Sequence, residues 1–199
     1  MVLTPSLRTL LNLRKAHCWR LARIESPPLG EVVPAASLAL VMGFMEEKLG
    51  FVDEPEWADG PFLARSWGGS RFSDGSFGVY YAGLELETCV DEVAHHQTRH
   101  LLDHGAPGMR IHLMAIRATV SGDFLDVRKG HPALHQSSHS VSRPFGIRAW
   151  KAGADGIAYR SVRRPGGECL AVFRRESILG CSRAGLVAFE WTGSILNVL

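Results

Sequence analysis

The sequence predicts a single-domain α+β fold. Its 199 residues, of which 46% are hydrophobic and 21% are charged, suffice for one domain with its own core and require no metal or disulfide for folding. Helical and strand patterns are mixed along the chain, and strand patterns become more frequent towards its end. A repeating βαβ pattern and a GxGxxG motif between a strand and a helix are both absent from the sequence, which disfavours a dinucleotide-binding Rossmann fold.

The first part of the chain combines helical patterns with a short strand and a long loop. A capping threonine, a proline at the first helical position and spaced leucines predict a helix over 4–13. The apolar run Cys18–Ala22 predicts a strand, and Ala35–Lys48 has the apolar spacing of a helix. Residues 53–70 are rich in Asp, Glu, Pro and Gly and predict a loop, which leads into a glycine-rich turn over Gly68–Gly75.

The remaining elements alternate between helix and strand. A helix is predicted over Leu84–Asp103 and another over 142–152, each ended by a following glycine. The polar stretch His131–Val141 carries no clear pattern. Strands or extended pieces are predicted at Val79–Ala82, Met109–Val120, Asp123–Val127, Ile157–Tyr159, Cys169–Phe173 and Leu186–Trp191.

Charge and cysteine usage exclude several classes of protein. The 22 Lys+Arg against 20 Asp+Glu give a formal charge of +2, too balanced for a protein that binds nucleic acid through its net charge. No apolar run reaches the length of a transmembrane helix, and the first residues lack the pattern of a signal peptide. The four cysteines are scattered without a CxxC pair, which disfavours a zinc ribbon or a disulfide framework. We therefore expect a cytoplasmic protein.

Two local concentrations of polar residues each allow a functional and a structural interpretation. Residues 143–175 contain eight Lys/Arg against two acids, which suits a multiply charged anion or simply a solvated basic edge. His96, His100 and His104 share one face of a predicted helix and could bind a metal. No HExxH-type motif accompanies them, so we favour a solvated helix face and expect no metal site.

Four further polar residues stand beside predicted elements. Arg20 lies in the first strand, Arg71 follows the double glycine, Glu92 lies in a helix, and Ser161 follows a strand. Taken singly, each fits a surface charge or a turn as well as a site. Ser161 lacks the GxSxG elbow of a serine hydrolase, so a nucleophilic triad is not indicated.

Taken together, three separated motifs resemble the RES domain family, named for its Arg, Glu and Ser. They are CWRLAR, then GGSRFSDGSFGVYYAGLELETCVDEVAHH, then ADGIAYRSVRRPGGECLAVFR, and they occur in the family's order. The resemblance covers about Trp19 to Gly180, so we treat residues 1–199 as one RES-like domain. It implies a fold like that of ADP-ribosyltransferase toxins, with a split, twisted β-sheet and flanking helices. It also implies NAD⁺ as the substrate and a toxin role, usually beside a protein antitoxin and often in a dimer.

The resemblance assigns roles residue by residue. Arg71, Glu92 and Ser161 match the family's Arg, Glu and Ser, and are the expected catalytic residues. The expected substrate-binding residues include Arg71 and Ser161 again, together with three more that match family positions: Arg20, Tyr81 and Gly180. Two departures stand out, since Leu21 replaces an aromatic residue of some members, and the segments 30–59 and 131–150 are long. These segments could bind a partner or cover the pocket.

The resemblance leaves the acceptor of ADP-ribose open. Water would make the protein an NAD⁺ glycohydrolase, and phosphate would make it a phosphorylase. A protein side chain would make it a mono-ADP-ribosyltransferase. The remaining interpretations are a non-catalytic module that binds a nucleotide or a partner, and an effector delivered into the cytoplasm of a target cell.

Overall fold

One mixed β-sheet runs through the residues that the computed structural model describes, which are 10–23, 54, 56–63 and 68–199. Within these ranges the chain forms seven strands, three α-helices and two short 3-10 helices, in a single α+β domain. The strands are β1 (Leu10–Arg23), β2 (Tyr80–Gly83), β3 (Met109–Asp126), β4 (Gly156–Arg160), β5 (Glu168–Val172), β6 (Ile178–Trp191) and β7 (Leu196–Val198). The helices are α1 (Glu56–Leu63), α2 (Leu86–Asp103) and α3 (Ser142–Lys151), and the 3-10 helices are Pro132–His135 and Arg175–Ser177. The predicted α+β class is confirmed.

The long strand β3 is the point where the sheet divides. One edge of β3, from Leu113 to Leu125, pairs with the whole length of β1 apart from a bulge. The other edge pairs first with β6, antiparallel, and then with β4, parallel. The sheet therefore splits into one wing of β6 and β7 and another of β4, β5 and β2. Strand β2 returns to β1 at the pair Trp19↔Gly83, which brings the second wing back against the first strand.

Alternation along β3 distributes apolar side chains to both faces of the sheet. Leu113 and Ala115 join the core cluster that packs against α2, whereas Met114 and Ile116 join the cluster on the opposite face. Successive side chains of a strand point to opposite faces, so this run of buried residues is the pattern expected where both faces are covered.

Helix α2 is predicted nearly to its ends and packs on β1. Its buried residues Leu86, Cys89 and Val90 contact Trp19 and Leu21 in one cluster. The apolar face of the helix thereby lies on the sheet, and the polar residues between these positions lie on the faces of the helix that are not packed against the sheet.

Helix α3 packs on the glycine-rich turn that carries Arg71. Phe145 and Ala149 are fully buried beside Phe72. A side chain at Gly146 would overlap the backbone oxygen of Phe72, so only glycine permits this approach. Gly153 follows the helix with a φ of 86°, as expected of a glycine after a helix end.

Several sequence-based expectations are wrong or incomplete. The predicted helix over 4–13 lies outside the described residues up to residue 9, and residues 10–13 are part of β1, paired with β3. A long-range edge pairing outweighs the local helical spacing here. Within the predicted loop 53–70, α1 forms around the buried Ala58 despite the proline inside it. The predicted helix Ala35–Lys48 lies outside the described residues.

The strands at the end of the chain are longer than their apolar patterns indicate. The extended piece Asp123–Val127 continues β3, and β6 begins at Ile178 rather than at Leu186. Pairing with β1 and β4 extends β3 beyond its alternating core, and pairing with β3 extends β6. Strand β7 was not predicted; it is three residues long, and all three pair with β6.

Replacing Gly146 with alanine should destabilise the domain. Overpacking against a backbone atom costs about 1–3 kcal/mol, while the better helix propensity of alanine returns at most about 1 kcal/mol. We expect Gly146→Ala to lower Tm in thermal unfolding by several degrees, at roughly 2–4 °C per kcal/mol for a chain of this size. Gly68→Ala is the matched control, because nothing lies within 4 Å of its added Cβ. Equal Tm values for both variants would contradict the packing of α3 on Phe72.

Candidate active site

Four of the predicted site residues line one cavity of about 430 Å³. Arg20 comes from β1, Arg71 from the glycine-rich turn, Tyr81 from β2 and Glu92 from α2. They are separated by up to 72 positions in the sequence, and the pairing of β2 with β1 and the packing of α2 on β1 bring them together. The candidate active site therefore lies where α2 and the glycine-rich turn meet the sheet.

Glu92 is fixed in the cavity through one of its two carboxylate oxygens. Its Oε1 accepts hydrogen bonds from Ser161 Oγ at 2.6 Å and from the Val162 amide at 3.2 Å. Ser161 Oγ itself accepts the amide protons of Arg163 at 3.0 Å and Arg164 at 2.9 Å. A hydroxyl has one proton, so these contacts direct that proton to Glu92. Among the described residues, none donates a hydrogen bond to Oε2.

Ser161 therefore contacts the Glu92 carboxylate without lining the cavity. It connects α2 to the turn between β4 and β5. The Ser161 amide also donates to the Gly167 carbonyl at 2.8 Å, which closes the base of that turn. The geometry of Ser161 is that of a residue that orients the Glu92 carboxylate through a hydrogen bond.

Arg71 both lines the cavity and holds one of its walls. Its side chain is only 9% exposed, and its Nη1 donates to the carbonyls of Leu134 and Gln136 at 3.1 and 2.9 Å. These carbonyls belong to the long segment 131–150, which supplies Ser137 and His139 to the cavity lining. This segment therefore covers part of the pocket, one of the two roles considered for it.

Tyr81 and Arg20 connect the glycine-rich turn to the first two strands. Tyr81 Oη accepts the Phe72 amide proton at 3.0 Å and lies 2.8 Å from Ser70 Oγ. Burial raises the pKa of the Tyr81 phenol to about 12, so the hydroxyl keeps its proton and can donate it to Ser70. Arg20 Nη1 donates to the Tyr81 carbonyl at 3.2 Å, and its guanidinium lies 5.2 Å from the centre of the Tyr80 ring.

The charge of the cavity lining is strongly positive. Among the described residues, five arginines line it and Glu92 is the single acid. The arginines are Arg20, Arg23, Arg71, Arg99 and Arg163. Guanidinium groups bind phosphates through two parallel hydrogen bonds, so this lining suits a ligand with several negative charges around one fixed carboxylate.

Some of the basic residues in the segment 143–175 form ion pairs within the structure, and one lines the cavity. Arg164 pairs with Asp91 at 3.0 Å, and Arg175 pairs with Asp59. Arg163 alone among the eight lines this cavity, and its Nε is buried without a hydrogen-bond partner in the described part of the chain.

Several cavity residues were not among the predicted site residues, and two of them are histidines. His96 lies one helical turn after Glu92, and His139 comes from the patternless stretch 131–141. Burial lowers the pKa of both imidazoles, and nearby arginines act in the same direction. Both shifts favour the neutral form of the ring, although Glu92 opposes the shift at His96. His96 and His139 each belong to a series of histidines spaced by four residues, which we interpreted as solvated. The spacing of His96 from Glu92 was a usable signal for the cavity.

The histidines of α2 do not form a shared cluster. His96 lines the cavity, and His100 and His104 line a separate groove of about 470 Å³. In the residues that the structure describes, no group of three or more His, Cys, Asp or Glu side chains could hold a metal ion.

Gly180 is the predicted binding residue that the structure places elsewhere. It lies in β6 opposite Thr119 and is not among the cavity-lining residues. Its predicted contact with substrate is therefore not supported by its position.

Among the described helices, none has both the length and the apolarity needed to cross a membrane.

Comparisons with known proteins identify a family. Residues 51–191, more than half of the chain, match the model of the RES domain. This match includes Arg71, Tyr81, Glu92 and Ser161, whereas Arg20 precedes it. Among solved structures, a chain of the M. tuberculosis MbcT–MbcA toxin–antitoxin complex is similar, with 14% identity and a TM-score of 0.48, over 88% of this chain and 87% of that one. No curated protein matches.

Removing the Tyr81 hydroxyl should loosen the glycine-rich turn. Tyr81→Phe keeps the ring but leaves the Phe72 amide without its acceptor, which costs about 1–3 kcal/mol. We expect a lower Tm in thermal unfolding. Ser70→Ala removes only one of the two contacts and should lower Tm less. A Tm for Tyr81→Phe equal to that of the wild type would show that the hydroxyl does not hold the turn.

Proposed function

This chain belongs to the RES domain family, and we propose that it is a toxin that cleaves the nicotinamide–ribose bond of NAD⁺. One observation carries the proposal: a single carboxylate, Glu92, is fixed by Ser161 and Val162 in a cavity where, among the described residues, five arginines supply the positive charge. A diphosphate with an adjacent ribose that becomes positively charged matches this distribution of charge.

The reaction requires stabilisation of positive charge more than it requires an acid. The bond between ribose C1′ and the pyridinium nitrogen breaks, and its electron pair stays on the nitrogen, so nicotinamide leaves as a neutral molecule. The ribose passes through an oxocarbenium-like transition state, as in glycoside hydrolysis. Glu92 stabilises this charge electrostatically, because its Oε1 is held by Ser161 while Oε2 has no partner among the described residues.

The arginines and Tyr81 orient the substrate. Arg20 and Arg71 bind the diphosphate, which fixes the ribose beside Glu92. Arg71 Nη1 is occupied by two backbone carbonyls, so its remaining N–H groups serve this contact. The Tyr81 ring packs against nicotinamide, and its tethered hydroxyl keeps the ring in place.

The acceptor decides the class of reaction. Water adds its oxygen to C1′ and releases a proton, which gives ADP-ribose. Phosphate adds one of its oxygens, which gives ADP-ribose 1″-phosphate. A protein side chain in the same position would give a mono-ADP-ribosylated protein instead.

An uninhibited enzyme of this kind would deplete the NAD⁺ of its own cell. We therefore propose a protein antitoxin that blocks access to the cavity, as the family resemblance implies. The positive lining makes an acidic segment of such a partner the complementary surface.

Glu92→Gln should abolish the activity and preserve the fold. The variant keeps the shape of the side chain and removes its charge, so we expect nicotinamide release from NAD⁺ to fall by at least about 10²–10³-fold. Glu87→Gln, an exposed residue of the same helix, is the matched control and should retain activity. Undiminished release in Glu92→Gln with an unchanged Tm would exclude the proposed role of Glu92.

The products identify the acceptor. Wild-type protein incubated with labelled NAD⁺, with and without phosphate, should convert the label to ADP-ribose or to its phosphate. Label that appears on a protein band instead would establish a transferase. Binding of NAD⁺ without release of nicotinamide would leave a non-catalytic module.

A further inference from the structure

Arg163 is a cavity residue with a buried donor that no described residue satisfies. Its Nε has no hydrogen-bond partner in the described part of the chain, although the side chain lines the cavity. Leaving a buried, charged N–H group unpaired is unfavourable, and an anion bound in the cavity would offset this cost.

The neighbouring arginine shows how this residue differs. Arg164 follows directly and is neutralised by Asp91 at 3.0 Å, whereas no ion pair of Arg163 with a described acid is formed. Glu92 does not neutralise Arg163 either, although Ser161 contacts both residues. The turn thus directs one guanidinium to an internal partner and the other to the cavity.

The backbone of Arg163 is held in place independently of its side chain. Its amide donates to Ser161 Oγ at 3.0 Å, and the same Oγ donates to Glu92. The charge of Arg163 is also close enough to lower the pKa of His96 and His139, alongside the larger effect of burial. Arg163, Glu92, His96 and His139 all line the same cavity.

We propose that Arg163 binds a phosphoryl group of a cavity ligand beside Glu92. This inference rests on the proposed function for the identity of the ligand. A phosphoryl group can come from the diphosphate of the dinucleotide or from inorganic phosphate that acts as the acceptor. Both present the same oxygens to a guanidinium.

The test measures binding rather than turnover. In the Glu92→Gln background, isothermal titration compares ADP-ribose, inorganic phosphate and nicotinamide riboside, which lacks phosphate. Arg163→Gln should weaken binding of a phosphate-containing ligand by about tenfold to hundredfold and leave the affinity for the riboside unchanged. Arg163→Lys should recover part of the affinity, and Arg164→Gln should not reproduce the loss.

The two sources of phosphate give different results. If Arg163→Gln weakens the binding of ADP-ribose, Arg163 binds the diphosphate of the dinucleotide. If it weakens the binding of inorganic phosphate alone, Arg163 binds the phosphate that acts as the acceptor. Unchanged affinity for both ligands in Arg163→Gln would overturn the proposal, as would the absence of phosphate binding to the protein that retains Arg163.

Two controls separate this proposal from other failures. The Arg163 amide contact with Ser161 survives in both variants, so an unchanged Tm shows that the turn is intact. If wild-type protein released no nicotinamide while Arg163→Gln still weakened phosphate binding, the proposed reaction would fail and the phosphoryl site would stand.

Discussion

The hydrogen bond from Ser161 to Glu92 is the contact on which the site depends. It joins residues 69 positions apart and connects α2 to the turn between β4 and β5. Two backbone amides donate to the Ser161 hydroxyl, so its proton has a fixed direction. A carboxylate held in this way keeps its position without any reorganisation during a reaction, which is the condition under which electrostatic stabilisation is most effective.

The cavity walls use the same residues for structure and for binding. Arg71 holds the segment 131–150 through two carbonyls, and Tyr81 holds the glycine-rich turn through its hydroxyl. Each residue also faces the cavity. Substitutions at these positions therefore change stability and ligand binding together, whereas Oε2 of Glu92 and Nε of Arg163 have no hydrogen-bond partner among the described residues. Loss of activity or binding on substitution of Glu92 or Arg163 is therefore more specific evidence for a role at the site than loss on substitution of Arg71 or Tyr81.

Local patterns predicted the elements that carry the site, but not the contacts between them. The apolar spacing of α2 and the short strand at Tyr80 were readable because each depends on near neighbours. Residues 10–13 are part of β1 because they pair with the edge of β3. This pairing is long-range, so a local sequence pattern does not reveal it. The family motifs identified Arg20, Arg71, Tyr81 and Glu92 as neighbours. His139 and Arg163 lie on irregular segments whose position depends on Arg71 and Ser161, and Gly180 is paired within β6 away from the cavity.

The central claim is that Ser161 acts through Glu92, and a double-mutant cycle on nicotinamide release tests it most directly. The rates of Ser161→Ala, Glu92→Gln and the double variant are compared with wild type, with Tm measured for each. If the serine acts by positioning the carboxylate, the double variant should be no slower than Glu92→Gln alone. Losses that multiply in the double variant would show that the two side chains act independently, and would contradict the account.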